Sequence, residues 1–171
     1  MFETFNIFLD LEETVIDDWF NGVFLLNKIT KIKQKLNSIE NSLIAEKLLK
    51  KTHTKKLIIF SLAIINKEDI VKFNTKYKHV IENMFNLKID EIVIFDEVLW
   101  TNIAKKHNIT PLKTDNMFDV FNIDIKTFFF KELSKNNSIN ILFDDTTFNS
   151  FEKVFDDEFE TLKKTNITVK I

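Results

Sequence analysis

Carboxylates and hydroxyls in this chain gather just after its apolar runs. Asp10-Leu11-Glu12-Glu13-Thr14 follows Thr4 to Leu9, and Ser61 sits within Leu57 to Leu62. Asp96-Glu97 follows Glu91 to Phe95, and Asp144-Asp145-Thr146 follows Ile139 to Phe143. Carboxylates brought to one sheet edge repel, and a hard divalent cation held by oxygens offsets that repulsion. Mg²⁺ that keeps some of its waters fits best, and the chemistry it suggests is metal-assisted phosphoryl transfer. Each acid taken singly also reads as a helix N-cap or first-turn residue.

Other chemistries are excluded by composition. Cysteine is absent, which removes disulfides, thiolate nucleophiles, iron-sulfur ligation and cysteine-based zinc sites. All 24 basic residues are lysine, so no guanidinium fork can clamp phosphate, and lysines, hydroxyls, backbone amides or a metal must do so. A single glycine, Gly22, rules out a dinucleotide fingerprint and a phosphate-cradling P-loop. His53, His79 and His107 are isolated in polar surroundings without metal-ligand spacing and read as surface residues.

The elements that must position these residues follow from hydrophobic periodicity. Five strands are predicted at residues 4–9, 57–62, 91–95, 139–143 and 167–171, four of them near-continuous apolar runs typical of strands covered on both faces. Helical spacing marks 17–37, 39–51, 67–85, 97–106, 123–135 and 148–164. Strands alternating with helices predict an α/β fold with three layers, a Rossmann-like, five-stranded parallel sheet between helices. In such sheets ligands bind beyond the carboxyl ends of the strands, where the acids stand.

At 171 residues the chain makes one domain, 1–171, and its net charge of −2 gives no global pull toward nucleic acid or an anionic membrane. The longest apolar run, Leu57 to Ile65, is too short to span a bilayer, and no signal peptide is visible; a cytoplasmic protein without a membrane partner is expected. The lysines at 28, 31, 33 and 35 and at 47, 50, 51, 55 and 56 read as solvated amphipathic faces, with a nucleic-acid backbone as the alternative partner. The 19 phenylalanines read mainly as core, and Trp19 as either a helix-packing residue or part of a site mouth. The bias toward lysine, asparagine, isoleucine and phenylalanine is that of AT-rich coding, as in a phage or low-GC bacterial genome.

In order along the chain, these residues resemble the haloacid dehalogenase-like (HAD) phosphohydrolase superfamily. Phe8-Leu9-Asp10-Leu11-Glu12-Glu13-Thr14-Val15-Ile16-Asp17 resembles its first motif, with the aspartate, threonine and later aspartate in register. Ser61 after Leu57-Ile58-Ile59-Phe60 resembles the second, Lys126 the third, and Asp144-Asp145 with Asn149 the fourth. The chain departs from the pattern at Glu12, where the family has aspartate, and at Glu13, where it has glycine.

The resemblance implies strand order 5-4-1-2-3, with Asp10 beside Asp144 and Asp145, and a capless form with an open site suited to large substrates. It also implies roles. Asp10 would attack phosphorus and form an aspartyl-phosphate, and Glu12 would act as acid and base. Ser61 would bond a phosphoryl oxygen, and Lys126 would offset negative charge. Mg²⁺ would be held by Asp10, the Glu12 backbone carbonyl and Asp145, with Asp144 and Asn149 orienting the shell. The implied function is a Mg²⁺-dependent phosphatase acting on a phosphomonoester, a nucleotide or nucleic-acid end foremost. The alternative is a catalytically impaired HAD-like binding or regulatory module.

Overall fold

The computed structural model describes residues 1–106, 108, 125–135, 137–145 and 166–171, excepting the side chains of residues 100 and 125–128. Its order is β1 (Phe2–Leu9), α1 (Leu26–Ala45), β2 (Leu49–Ile59), α2 (Lys67–Lys76), α3 (Lys78–Phe85), β3 (Ile89–Ile92), α4 (Glu97–Lys106), α5 (Ile125–Leu133), β4 (Ile139–Asp144) and β5 (Asn166–Lys170). All strand pairs are parallel and the sheet order is β3-β2-β1-β4-β5. This is an α/β fold with a five-stranded parallel sheet flanked by helices, compatible with a Rossmann-like architecture.

The alternation of side chains along each strand divides the core in two. Phe5, Ile7, Leu9, Ile59, Ile141 and Phe143 pack on one face with Ile32 of α1, Phe73 of α2 and Ile81 of α3. Phe8, Ile58, Phe60 and Leu142 pack on the other with Ile103 of α4 and Phe129 and Phe130 of α5. Phenylalanine supplies much of both clusters, and edge-on ring pairs such as Phe8–Phe130 and Phe60–Phe95, each 5.2 Å between centroids, knit the second face.

The structure corrects several sequence expectations, and the helix expected over 67–85 is two helices, α2 and α3. The helix expected over 17–37 begins only at Leu26, because residues 16–24 form a hairpin in which Ile16 pairs antiparallel with Phe24. The helix expected over 39–51 ends at Ala45, and β2 starts at Leu49. Lys50 and Lys51 therefore lie on a strand that β1 pairs from Phe2 onward, not at the end of a helix, and Lys55 and Lys56 lie on the same strand. Their polar spacing mimics a solvated helix, but the backbone bonds of a long parallel pair decide the outcome. His53 is not a surface residue, since its side chain is only 6% exposed and stands 3.3 Å from Glu40 of α1. The helix expected over 148–164 and His107 lie outside the described residues. Among the described residues no helix is long and apolar enough to cross a membrane.

Candidate metal centre

The sheet order puts the carboxyl end of β1 directly beside that of β4, where the strand order reverses. The Asp10 N–H donates to the Phe143 carbonyl at 3.1 Å, which fixes Asp10 against the last residues of β4. The next residues turn sharply. The Leu11 carbonyl accepts from the N–H groups of Thr14 (3.1 Å), Val15 (2.8 Å) and Ile16 (3.0 Å), so Thr14 folds back over the strand end. Its hydroxyl donates to Asp10 Oδ2 at 2.9 Å and lies 3.5 Å from Asp145 Oδ1.

Asp10, Asp144 and Asp145 each bring one carboxylate oxygen to within 4.8 Å of the others. Asp10 and Asp144 are buried, 3% and 1% exposed, and Asp145 is half-buried. Three oxygens at that spacing, on backbone held by ladder bonds, form a donor set suited to a small hard divalent cation. Ile171 N–H donates to the Asp144 carbonyl at 2.8 Å, so β5 also steadies this end.

The other expected site residues are placed differently. Glu12 stands outside the trio; Glu12 Oε2 accepts from the Trp19 N–H at 3.3 Å, its only hydrogen bond among the described residues. Glu13, in the family's glycine position, has φ 60°, a left-handed conformation that favours glycine. Its exposed side chain clears the turn, and its carbonyl accepts from the Lys28 ammonium of α1. Ser61 is buried at the end of β2, where its hydroxyl accepts from Ala63 N–H at 3.3 Å, and it makes no hydrogen bond to the aspartates. Asp96 caps α4, accepting from Leu99 N–H at 3.0 Å, so its ordinary reading holds. Lys126 lies in the first turn of α5, but its side chain, like the whole of Asn149, lies outside the described residues.

The hairpin that follows the turn is firmly built. Asp17 Oδ1 accepts from Asp18 N–H (2.7 Å) and Val23 N–H (2.8 Å), while Asp18 Oδ1 accepts from Phe20 N–H (2.8 Å) and Asn21 N–H (2.7 Å). These bonds from Asn21 and Phe20, with the nearby Lys72 cation, hold the Asp18 carboxyl below the usual carboxylate range. From α2, Lys72 Nζ donates to the Trp19 carbonyl (2.5 Å) and Lys76 Nζ to that of Asn21 (3.2 Å). Trp19 is buried against Tyr77, 5.4 Å between centroids, so it packs and does not line a mouth. Phe20 beside it is 85% exposed. Sequence reasoning passed over Phe20, and only the end of helical periodicity near the motif could have marked it.

Compared with protein-family models, curated proteins and solved structures, the chain matches none of them. The candidate centre therefore rests on its own geometry.

Proposed function

We propose that the chain is a Mg²⁺-dependent phosphohydrolase of the HAD-like type, acting on a phosphomonoester at the carboxyl edge of β1 and β4. The convergence of Asp10, Asp144 and Asp145 carries this reading, with two of the three buried and Thr14 bonded to Asp10. Asp10, Asp145 and Asp144 would hold the cation, which when bound offsets the negative charge of the phosphoryl group.

Asp10 supplies the nucleophile. One carboxylate oxygen attacks phosphorus in line as the bond to the leaving alkoxide breaks, giving an aspartyl-phosphate. Thr14 donates to Oδ2, which orients the carboxylate for that attack. Glu12 would pass a proton to the leaving oxygen in the first half and then take one from the water that releases phosphate. The Trp19 N–H holds one Glu12 oxygen and leaves the second for that exchange. Ser61 and Lys126 belong to the reading as phosphate-binding hydroxyl and charge-offsetting cation.

A second reading is favoured by Glu12. Its bond to Trp19 draws the expected acid-base group toward the hairpin, as expected of a HAD-like module that binds phosphate or a partner without turnover. Hydrolysis of a generic aryl phosphate, with and without Mg²⁺, separates the two. The hydrolase reading expects metal-dependent turnover that Asp10→Asn abolishes and Glu12→Gln lowers about 100-fold or more. Absence of turnover, with a melting shift on adding Mg²⁺ and a phosphate-mimicking fluoride, would instead favour the binding module.

A further inference from the structure

Phe20 differs from the phenylalanines of the core. Phe5, Phe8, Phe60, Phe73, Phe95, Phe129, Phe130 and Phe143 are fully buried, whereas Phe20 is 85% exposed. Fraying does not explain it, because the backbone on either side is held at every step. Asp18 bonds the N–H groups of Phe20 and Asn21, Lys72 and Tyr77 bond the Trp19 carbonyl, and Lys76 bonds that of Asn21. Gly22 N–H closes the tip on the Asp18 carbonyl at 2.9 Å. A pinned loop that buries its tryptophan but leaves a phenylalanine in water presents that phenylalanine to something.

Its position says to what. The hairpin is the direct continuation of the turn that carries Thr14, and Trp19 N–H lies 3.3 Å from the Glu12 carboxylate. Adding standard backbone lengths places the Phe20 Cα within about 9 Å of that carboxylate. The Lys72 ammonium lies 5.5 Å from the Phe20 ring centroid, adding a cation next to an accessible π face. An aromatic ring with a neighbouring cation, on the hairpin that continues from the Asp10–Thr14 turn, suits a planar group attached to a phosphate held at that turn.

We propose that Phe20 is a stacking platform for the planar leaving group of the substrate, so that the site prefers aromatic phosphomonoesters, aryl or nucleoside, over aliphatic ones. This rests on the phosphohydrolase reading of the Asp10 centre. Phe20 positions the ester by contact with the ring and takes no part in proton or phosphoryl transfer, so its removal raises KM more than it lowers kcat.

The test compares benzyl phosphate with ethyl phosphate, the same primary leaving oxygen with and without a ring, and adds adenosine 5′-monophosphate as the nucleoside arm. Phe20→Ala is expected to lose about ten-fold or more in kcat/KM on the ring-bearing esters, mostly in KM, and to leave ethyl phosphate unchanged. Phe20→Trp restores the preference. Equal loss on both classes, or none, overturns the platform while leaving the hydrolase reading in place. Calorimetric titration of the same esters into Asp10→Asn, with and without Phe20→Ala, reads binding apart from turnover. Ring-selective binding that needs Phe20 sustains the platform even if the wild-type chain proves inert, and binding of neither class overturns it.

Discussion

Single residues set the shape of the turn and hairpin at the end of β1. Asp18 contributes through its ionised form, because the Asn21 and Phe20 N–H groups bond the carboxylate and lower its pKa in the folded chain. A group so depressed stabilises the fold above its unfolded pKa, and that contribution is lost as pH falls through the folded value. The stability gap between the wild-type chain and Asp18→Asn should thus be constant near neutrality and close below about pH 4, as urea unfolding at a series of pH values will show. Gly22 has φ 67°, and a Cβ there would meet the Tyr77 hydroxyl at 2.3 Å. Gly22→Ala is expected to cost about 2 kcal/mol in the same assay. Glu13→Gly should leave the midpoint unchanged or raise it, whereas Glu13→Val should lower stability by about 1–2 kcal/mol, because a β-branched residue resists the left-handed conformation. Asp10, Asp144 and Asp145 were legible in the sequence because each ends an apolar run and strand ends are easy to place. The orientation of Glu12 was not, since a backbone N–H seven residues along decides it.

Among the elements, the strands were readable and the connections less so. Continuous apolar runs announce buried parallel strands, but Trp19 and Phe24 also bury apolar surface from a hairpin, and their spacing reads as the start of a helix. The same limit hid a polar device inside the sheet. Asn6, Asn140 and Asn166 stand opposite one another on β1, β4 and β5. Asn6 Nδ2 donates to Asn140 Oδ1 (3.1 Å) and Ser138 Oγ (2.8 Å), and Asn140 Nδ2 donates to Asn166 Oδ1 (3.1 Å). Buried amides gain only when all are paired, so this ladder penalises any slip of register between the strands that bring Asp10 to Asp144. Asn140→Leu, which leaves both neighbours short of a partner, is expected to cost about 2–3 kcal/mol in chemical unfolding. No pattern of apolar residues signals such a ladder, because it depends on register between separate strands, and Asn6 and Asn140 are 134 residues apart.

At the scale of the molecule, the order β3-β2-β1-β4-β5 does the assembling, since it makes the first and fourth strands neighbours and puts their acids at one edge. That order is the one the family resemblance implied, and periodicity alone does not specify it. The central claim is that the three aspartates form a divalent cation site, and thermal melting across a Mg²⁺ titration tests it most directly. The wild-type midpoint is expected to climb with metal, reflecting about 2.7 kcal/mol of added stability at a hundred-fold excess over Kd, and Asp10→Asn and Asp145→Asn each to lose most of that gain. An unchanged wild-type midpoint, or an equal rise in both variants, would contradict it.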